Sequence, residues 1–260
     1  MKKLAPLSLG LLLLLPGCFD VEADLVIEKD LSGTAGMSVT VDMESMVYVM
    51  ATMQRAFMGE EGPPTEEELE AVRQELLADM QAEEALSEEE MWEEAERELP
   101  EGFELRELNF EREGLKTSMR FLVDYPHIER LNELRLDEPG RKEEEAMPGE
   151  PSAEEFDSLS EPFADIRFVD EGDTYLLESG TPNPVEDARE SSSGMEGFEE
   201  MLGQAFKNLR VAMTIQVPGE IVEHNATRVE GNKLIWEFSF ETLRETSGAD
   251  LEHIMVRFRK

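Results

Sequence analysis

The side chains able to do chemistry are few and scattered. The chain of 260 residues has one cysteine, Cys18, and three histidines, His127, His224 and His253, each isolated in sequence. No serine sits in a Gly-x-Ser-x-Gly turn, no His-Glu-x-x-His pair occurs, and no glycine-rich phosphate loop follows a strand. A single thiol excludes a disulfide framework and a multi-thiolate metal centre. Carboxylates are abundant, with 61 Asp and Glu against 24 Lys and Arg for a formal charge of −37. They lie in Glu runs at helical spacing rather than in an Asp-x-Asp-x-Asp-Gly calcium loop, and so read as solvated helix faces. That charge also excludes a nucleic-acid binder that works by neutralising phosphates. The chain reads as non-enzymatic, with no cofactor and no metal site. The Asn225-Ala226-Thr227 sequon reads as incidental.

The cysteine has a context. Met1-Lys2-Lys3 is a basic start, Leu4 to Leu15 is apolar, and Pro16-Gly17-Cys18 closes the run. This is the architecture of a secretory signal, and about a dozen apolar residues fall short of the roughly 20 that span a bilayer. Leu15-Pro16-Gly17-Cys18 resembles the bacterial lipobox, with Pro16 in place of the usual Ala or Ser. The resemblance implies cleavage before Cys18, a diacylglycerol on its sulfur and acylation of the new amino terminus. Phe19 follows the cysteine. Under the enteric sorting rule, where Asp at that place retains a lipoprotein in the inner membrane, Phe19 directs it to the outer membrane. Removal of Lys2 and Lys3 takes the formal charge from −37 to −39. Such a body is expected to be repelled by anionic headgroups and to stand off the membrane on its lipid tether.

The other residues of functional interest are methionines. Met43, Met46, Met50 and Met53 fall at helical spacing behind Asp42, a suitable N-cap, and Met195 and Met201 recur on a later helix. Methionine is flexible and polarizable and suits adaptable apolar surfaces. These six are the candidate lining of a cavity between helix and sheet that holds a lipid or other hydrophobic ligand; ordinary core packing is the alternative use.

The elements that must position these residues show two periods. Val21 to Ile27 and Met37 to Val41 alternate with polar residues as a first hairpin. Leu115 to Tyr125 alternates regularly, with Phe121 on the apolar face and Arg120 on the other. Phe103 to Phe110, Ile166 to Leu177 around Glu171-Gly172-Asp173, Val211 to Val217, Leu234 to Phe240 and Ile254 to Phe258 complete the strands. Thr65-Glu66-Glu67-Glu68 and Ser87-Glu88-Glu89-Glu90 are capping boxes opening two acidic helices. Pro126 opens a short helix through Leu136. The fold class is therefore α+β: an antiparallel sheet of β-hairpins with helices packed on one face. Residues 1–17 are read as a lipoprotein signal peptide and 18–260 as a single envelope domain. That domain carries an acidic helical insertion at 65–99 and flexible loops at 137–160 and 181–193. Pro63-Pro64 and Pro100 bracket the insertion as a separable unit, whose deletion is expected to leave a cooperatively folding core.

Two segments resemble the LppM-type domain of bacterial lipoproteins: Cys18-Phe19-Asp20-Val21-Glu22-Ala23-Asp24-Leu25 running into Gly33-Thr34-Ala35-Gly36, and Val217-Pro218-Gly219-Glu220-Ile221 running to Gly231-Asn232 and Leu234-Ile235-Trp236. They cover about a quarter of the chain, and their motifs are structural. The resemblance implies an envelope domain that holds a lipid or other apolar ligand. Two functions follow as expectations. The chain is a membrane-anchored module holding a hydrophobic ligand between helices and sheet, or a structural or assembly lipoprotein presenting its acidic helices to a basic protein partner.

Overall fold

A computed structural model describes residues 18–59, 62–82, 88–134, 163, 166–180, 208–245 and 254–260. The signal segment 1–17, Ser87, the loops 137–160 and 181–193, Met195, Met201 and His253 lie outside the described residues.

The first strand, β1 (Cys18–Ile27), pairs antiparallel with β2 (Gly33–Asp42), from Cys18 opposite Asp42 to Ile27 opposite Gly33. The turn between them is tight. Leu31 is held at φ 68°, a left-handed conformation that costs a non-glycine residue roughly 1–2 kcal/mol. Asp30 holds the turn by accepting from the Ser32 N–H and hydroxyl, and the Ile128 N–H donates to the Leu31 carbonyl at 2.8 Å. The second hairpin, β3 (Glu104–Glu113) and β4 (Lys116–Tyr125), joins through β4 against β2.

On its other side β1 pairs with β7 (Arg210–Gln216), and this pairing is parallel. β10 (Lys233–Ser239) and β9 (Arg228–Glu230) follow, giving a seven-stranded sheet in the order β3-β4-β2-β1-β7-β10-β9. A second sheet in the order β5-β6-β11-β8 is built from β5 (Arg167–Asp170), β6 (Thr174–Ser179), β8 (Ile221–His224) and β11 (Ile254–Arg259).

The α+β class and the dominance of antiparallel pairing are as the alternation predicts. Three details differ from the expectation of one hairpin sheet under helices. The strands divide between two sheets, β1 and β7 run parallel, and much of the packed face is covered by the second sheet. Alternation marks which face of a strand is apolar, and a sheet satisfies that face as well as a helix does. Leu25, Ile27, Val123, Ile215 and Leu234 of the large sheet are buried with Leu177, Val256 and Phe258 of the small one. The same core takes in Ile128 and Leu131 of a 3₁₀ helix (Ile128–Glu133), a shorter element than the helix expected from Pro126 to Leu136.

Asn225 ties the two sheets together. Its side-chain oxygen accepts from Trp236 Nε1 on β10 and from the Met255 N–H on β11, both at 2.9 Å. The short strands β8 and β9 are too brief to announce themselves by alternation. Phe240, expected as the last strand residue, instead opens α4 (Phe240–Glu245) and is buried there.

Among the described residues three helices precede β3: α1 (Glu44–Met58), α2 (Glu66–Ala82) and α3 (Glu88–Glu98). Asp42 caps α1 by accepting from the Glu44 N–H at 3.0 Å. The expected separability of 65–99 is not supported by the packing. Val72, Leu76 and Met80 of α2 are buried against Val47 and Ala51 of α1 and against Leu115, while Met91, Trp92, Ala95 and Leu99 pack onto the main core. Arg112 donates to the Met80 carbonyl at 2.6 Å, and Arg55 forks onto both oxygens of Glu68 at 2.8 and 2.9 Å. The dense glutamates obscure stripes that are narrow but closed.

Two outcomes are expected. Deleting Thr65 to Leu99 removes three buried side chains worth about 1.5–3 kcal/mol each, against a typical total of roughly 5–15 kcal/mol. Denaturant unfolding of that variant should lose its cooperative transition; a sharp transition would restore the separable reading. A Cβ at Gly33 would lie 1.8 Å from the Val26 carbonyl oxygen, whereas at Gly36 its nearest contact is the end of the Leu122 side chain at 2.8 Å. Gly33→Ala should therefore cost about 3 kcal/mol or more, and Gly36→Ala about 1 kcal/mol or less. Urea midpoints of the two variants check the contrast.

Candidate functional site

Cys18 is both the candidate lipidation site and the first residue of β1, in register with Asp42.

The six methionines divide. Met43, Met46, Met50 and Met53 come together on one face of α1, with Met46 and Val49 buried and the other three partly buried beside them. Met43 and Met50 also touch the cluster shared by α1 and α2. That cluster also takes in Leu115 at the β3–β4 turn. Tyr48 and Met58 on the same helix are exposed.

A pocket of about 200 Å³ lies on the opposite, outer face of the large sheet. Side chains on that face come from every second residue: Asp24 and Val26 of β1, Thr34, Gly36 and Ser38 of β2, Arg120 and Leu122 of β4, Thr214 and Gln216 of β7, and Lys233 of β10. Gly36 lies between Asp24 and Leu122, and the end of the Leu122 side chain leans over it. Floor and walls mix hydroxyl, amide, carboxylate and cationic groups with two aliphatic side chains. The sequence marked these positions only as the wet side of each strand.

Electrostatics concentrate at ion pairs that staple neighbouring segments. Arg210 donates to Asp20 at 3.0 Å, to Glu237 at 3.1 Å, and to Glu22, joining β7 to strands on both sides. At the other sheet, Arg257 binds Glu171 and Glu223, and Lys260 reaches Asp170 at 2.6 Å while lying over the Tyr175 ring. Their partners hold the carboxyls of Glu171 and Asp170 below the usual range. His127 Nδ1 accepts from the Glu129 N–H and His224 Nδ1 from the Ala226 N–H, so each of these imidazoles serves a local turn. Among the described residues no group of three His, Cys, Asp or Glu is placed to hold a metal, and no helix is long and apolar enough to cross a membrane.

The acidic helices turn their apolar stripes inward and leave Glu66, Glu67, Glu70 and Glu75 of α2, and Glu93, Glu96 and Glu98 of α3, exposed. α2 begins in a reciprocal capping box. The Thr65 N–H and hydroxyl donate to Glu68 Oε2 at 2.6 and 2.8 Å, and the Glu68 N–H donates back to Thr65 Oγ1 at 3.3 Å.

No family model matches the chain, and no curated protein matches it. Among solved structures, the chain is similar to the folded domain of Mycobacterium tuberculosis LppM, determined by NMR. The match has 9% identity, covers 94% of this chain and 91% of that one, and has a TM-score of 0.44. A likeness at that level assigns no function to the chain.

The capping box carries a pH dependence of known sign. The Glu68 carboxyl is lowered from its ordinary value, first by the bond from the Thr65 N–H, then by the Thr65 hydroxyl and by Arg55. A lowered carboxylate stabilises fully above its unfolded value of about 4.3, and the contribution disappears as pH falls through the lower folded value. The difference in melting temperature between the native chain and Glu68→Ala should be constant from about pH 6 upward and close below about pH 4. A difference unchanged between pH 7 and pH 3 would show that Glu68 does not cap α2 as a carboxylate.

Proposed function

We propose that this chain is a non-enzymatic lipoprotein of the bacterial envelope, anchored to the outer membrane by lipid on Cys18, whose body presents an acidic helical face to a basic protein partner. The observation that carries the anchor is the placement of the only cysteine at the end of a Leu-Pro-Gly-Cys signal. Two or three acyl chains there hold the protein far more firmly than one.

The partner reading is supported by the way α2 and α3 are used. Their apolar residues are spent on α1 and on the main core, so the surface they leave to solvent is a field of glutamates. Like charges on neighbouring turns repel, and a cationic surface docking on them relieves that repulsion. An association of this kind weakens steeply with salt, because the screening length falls from about 10 Å at 0.1 M to about 3 Å at 1 M.

One observation favours the second reading, a hydrophobic ligand held by the methionine helix. Met43, Met46, Met50 and Met53 do share one face, and such a face adapts to an apolar guest. Met195 and Met201 lie outside the described residues.

Native mass spectrometry of the protein extracted from its own membranes separates these readings. The expected result is an acylated Cys18, no further retained lipid, and a protein partner released in 1 M salt. A stoichiometric lipid lost in Met46→Ser or Met50→Ser would favour the ligand reading instead. Cys18→Ser should yield an unacylated product that no longer floats with membranes. If that variant remains acylated and membrane-bound, the anchor lies elsewhere.

A further inference from the structure

The anchor and the fold together set an orientation. We infer that the end of the large sheet carrying Cys18, rather than either broad face, meets the lipid headgroups, so that its strands stand upright from the bilayer. This rests on the lipidation of Cys18 proposed above.

The first observation is register. Cys18, Asp42, Lys116 and Glu113 form one row across β1, β2, β4 and β3. β1 is paired with β2 at all ten positions from Cys18 onward, and with β7 from Asp20. An anchored cysteine that is itself a strand residue, flanked so soon on both sides, leaves no linker about which the body could swivel. The row at that end must then lie at headgroup level.

The second observation concerns the faces. The inner face of the large sheet is covered by the small sheet and by the 3₁₀ helix over the half away from Cys18, from Ala23 to Ile27 of β1. The outer face carries Asp20, Glu22 and Asp24 along β1. Its Arg210 is already bound by Asp20, Glu22 and Glu237, and its Arg120 by Glu107. Laying that face on an anionic bilayer would press uncompensated carboxylates against phosphates. The end row brings only Asp42 and Glu113, with Lys116 between them, to the headgroups, fewer carboxylates than the outer face would bring.

The orientation assigns heights. At about 3.3 Å per strand residue, the pocket beside Asp24 lies about 20 Å above the anchored row and opens sideways to water. α1 starts at Glu44, two residues beyond the register partner of Cys18, so the methionine helix begins at the membrane level. Glu230 pairs with Lys233, which pairs with Gln216, which lies beside Val26. It stands about 26 Å above the anchored row.

The test uses the full chain, processed in a lipoprotein-competent bacterium and reconstituted in phosphatidylethanolamine–phosphatidylglycerol vesicles bearing headgroup nitroxides. Acylated Cys18 offers no thiol, so Glu113→Cys or Glu230→Cys each supplies a single site for a fluorescent label. Quenching at position 113 should exceed that at 230 by roughly threefold or more for a height difference of about 26 Å. Lys116→Cys against Arg228→Cys repeats the comparison if either first variant fails to fold. Equal quenching at both heights, or stronger quenching at 230, with an acylated and floating protein, overturns the upright orientation alone. An N-terminal peptide without acyl mass overturns the anchor and this orientation with it.

Discussion

Between Asp20 and Val26 the first strand of the chain lies beside a strand about 190 residues later, running in the same direction. An antiparallel pair can be closed by a short hairpin, as β1–β2 and β3–β4 are, but a parallel pair needs a long return of chain. This pairing joins the N-terminal half of the large sheet, β3-β4-β2-β1, to the C-terminal half, β7-β10-β9. Arg210 closes it, one guanidinium taking carboxylates from β1 and from β10. Without the β1–β7 seam there would be two smaller sheets, each with an open edge and half a core. The inward residues of the seam, Leu25 and Ile215, are fully buried, and they meet Val256 and Phe258 of the second sheet within the same core.

The second sheet depends on that seam through Asn225. The turn after β8 places one amide oxygen between the Trp236 indole and the backbone of Met255, so a single acceptor joins both layers. Buried donors left without partners are costly, so this acceptor holds position as well as contributing energy. A close approach of backbones accompanies it: a Cβ on Gly219 would lie 1.9 Å from the Arg259 carbonyl oxygen. The Pro218-Gly219 turn, the last strand and the β5–β6 hairpin are thus drawn to one end, where Arg257 and Lys260 staple them.

Charge and packing are separated with unusual thoroughness. Among the described residues no charged side chain is buried, while the apolar residues of the acidic helices close on α1 and on the core. Self-repulsion keeps such a surface hydrated and free of like-charged neighbours. The same surface would reject an anionic bilayer, which is why a covalent anchor at the end of a strand is compatible with this body where adsorption through a face is not.

Local features of the sequence determined which face of each long strand is apolar, because side chains alternate with period two whatever the strand pairs with. Phe121 is accordingly buried and Arg120 exposed. Caps were equally legible: Asp42 before α1 and Thr65 with Glu68 before α2 are local hydrogen-bond patterns readable within four residues. Partner choice was not legible. Nothing near Val21 or Val211 specifies that they lie side by side in parallel, since that depends on the complementarity of two assembled halves. The division into two sheets, the outer-face pocket around Gly36 and the inward role of Trp92 are decisions of the same kind. Periodicity records what a face needs, and only the tertiary structure decides what meets it.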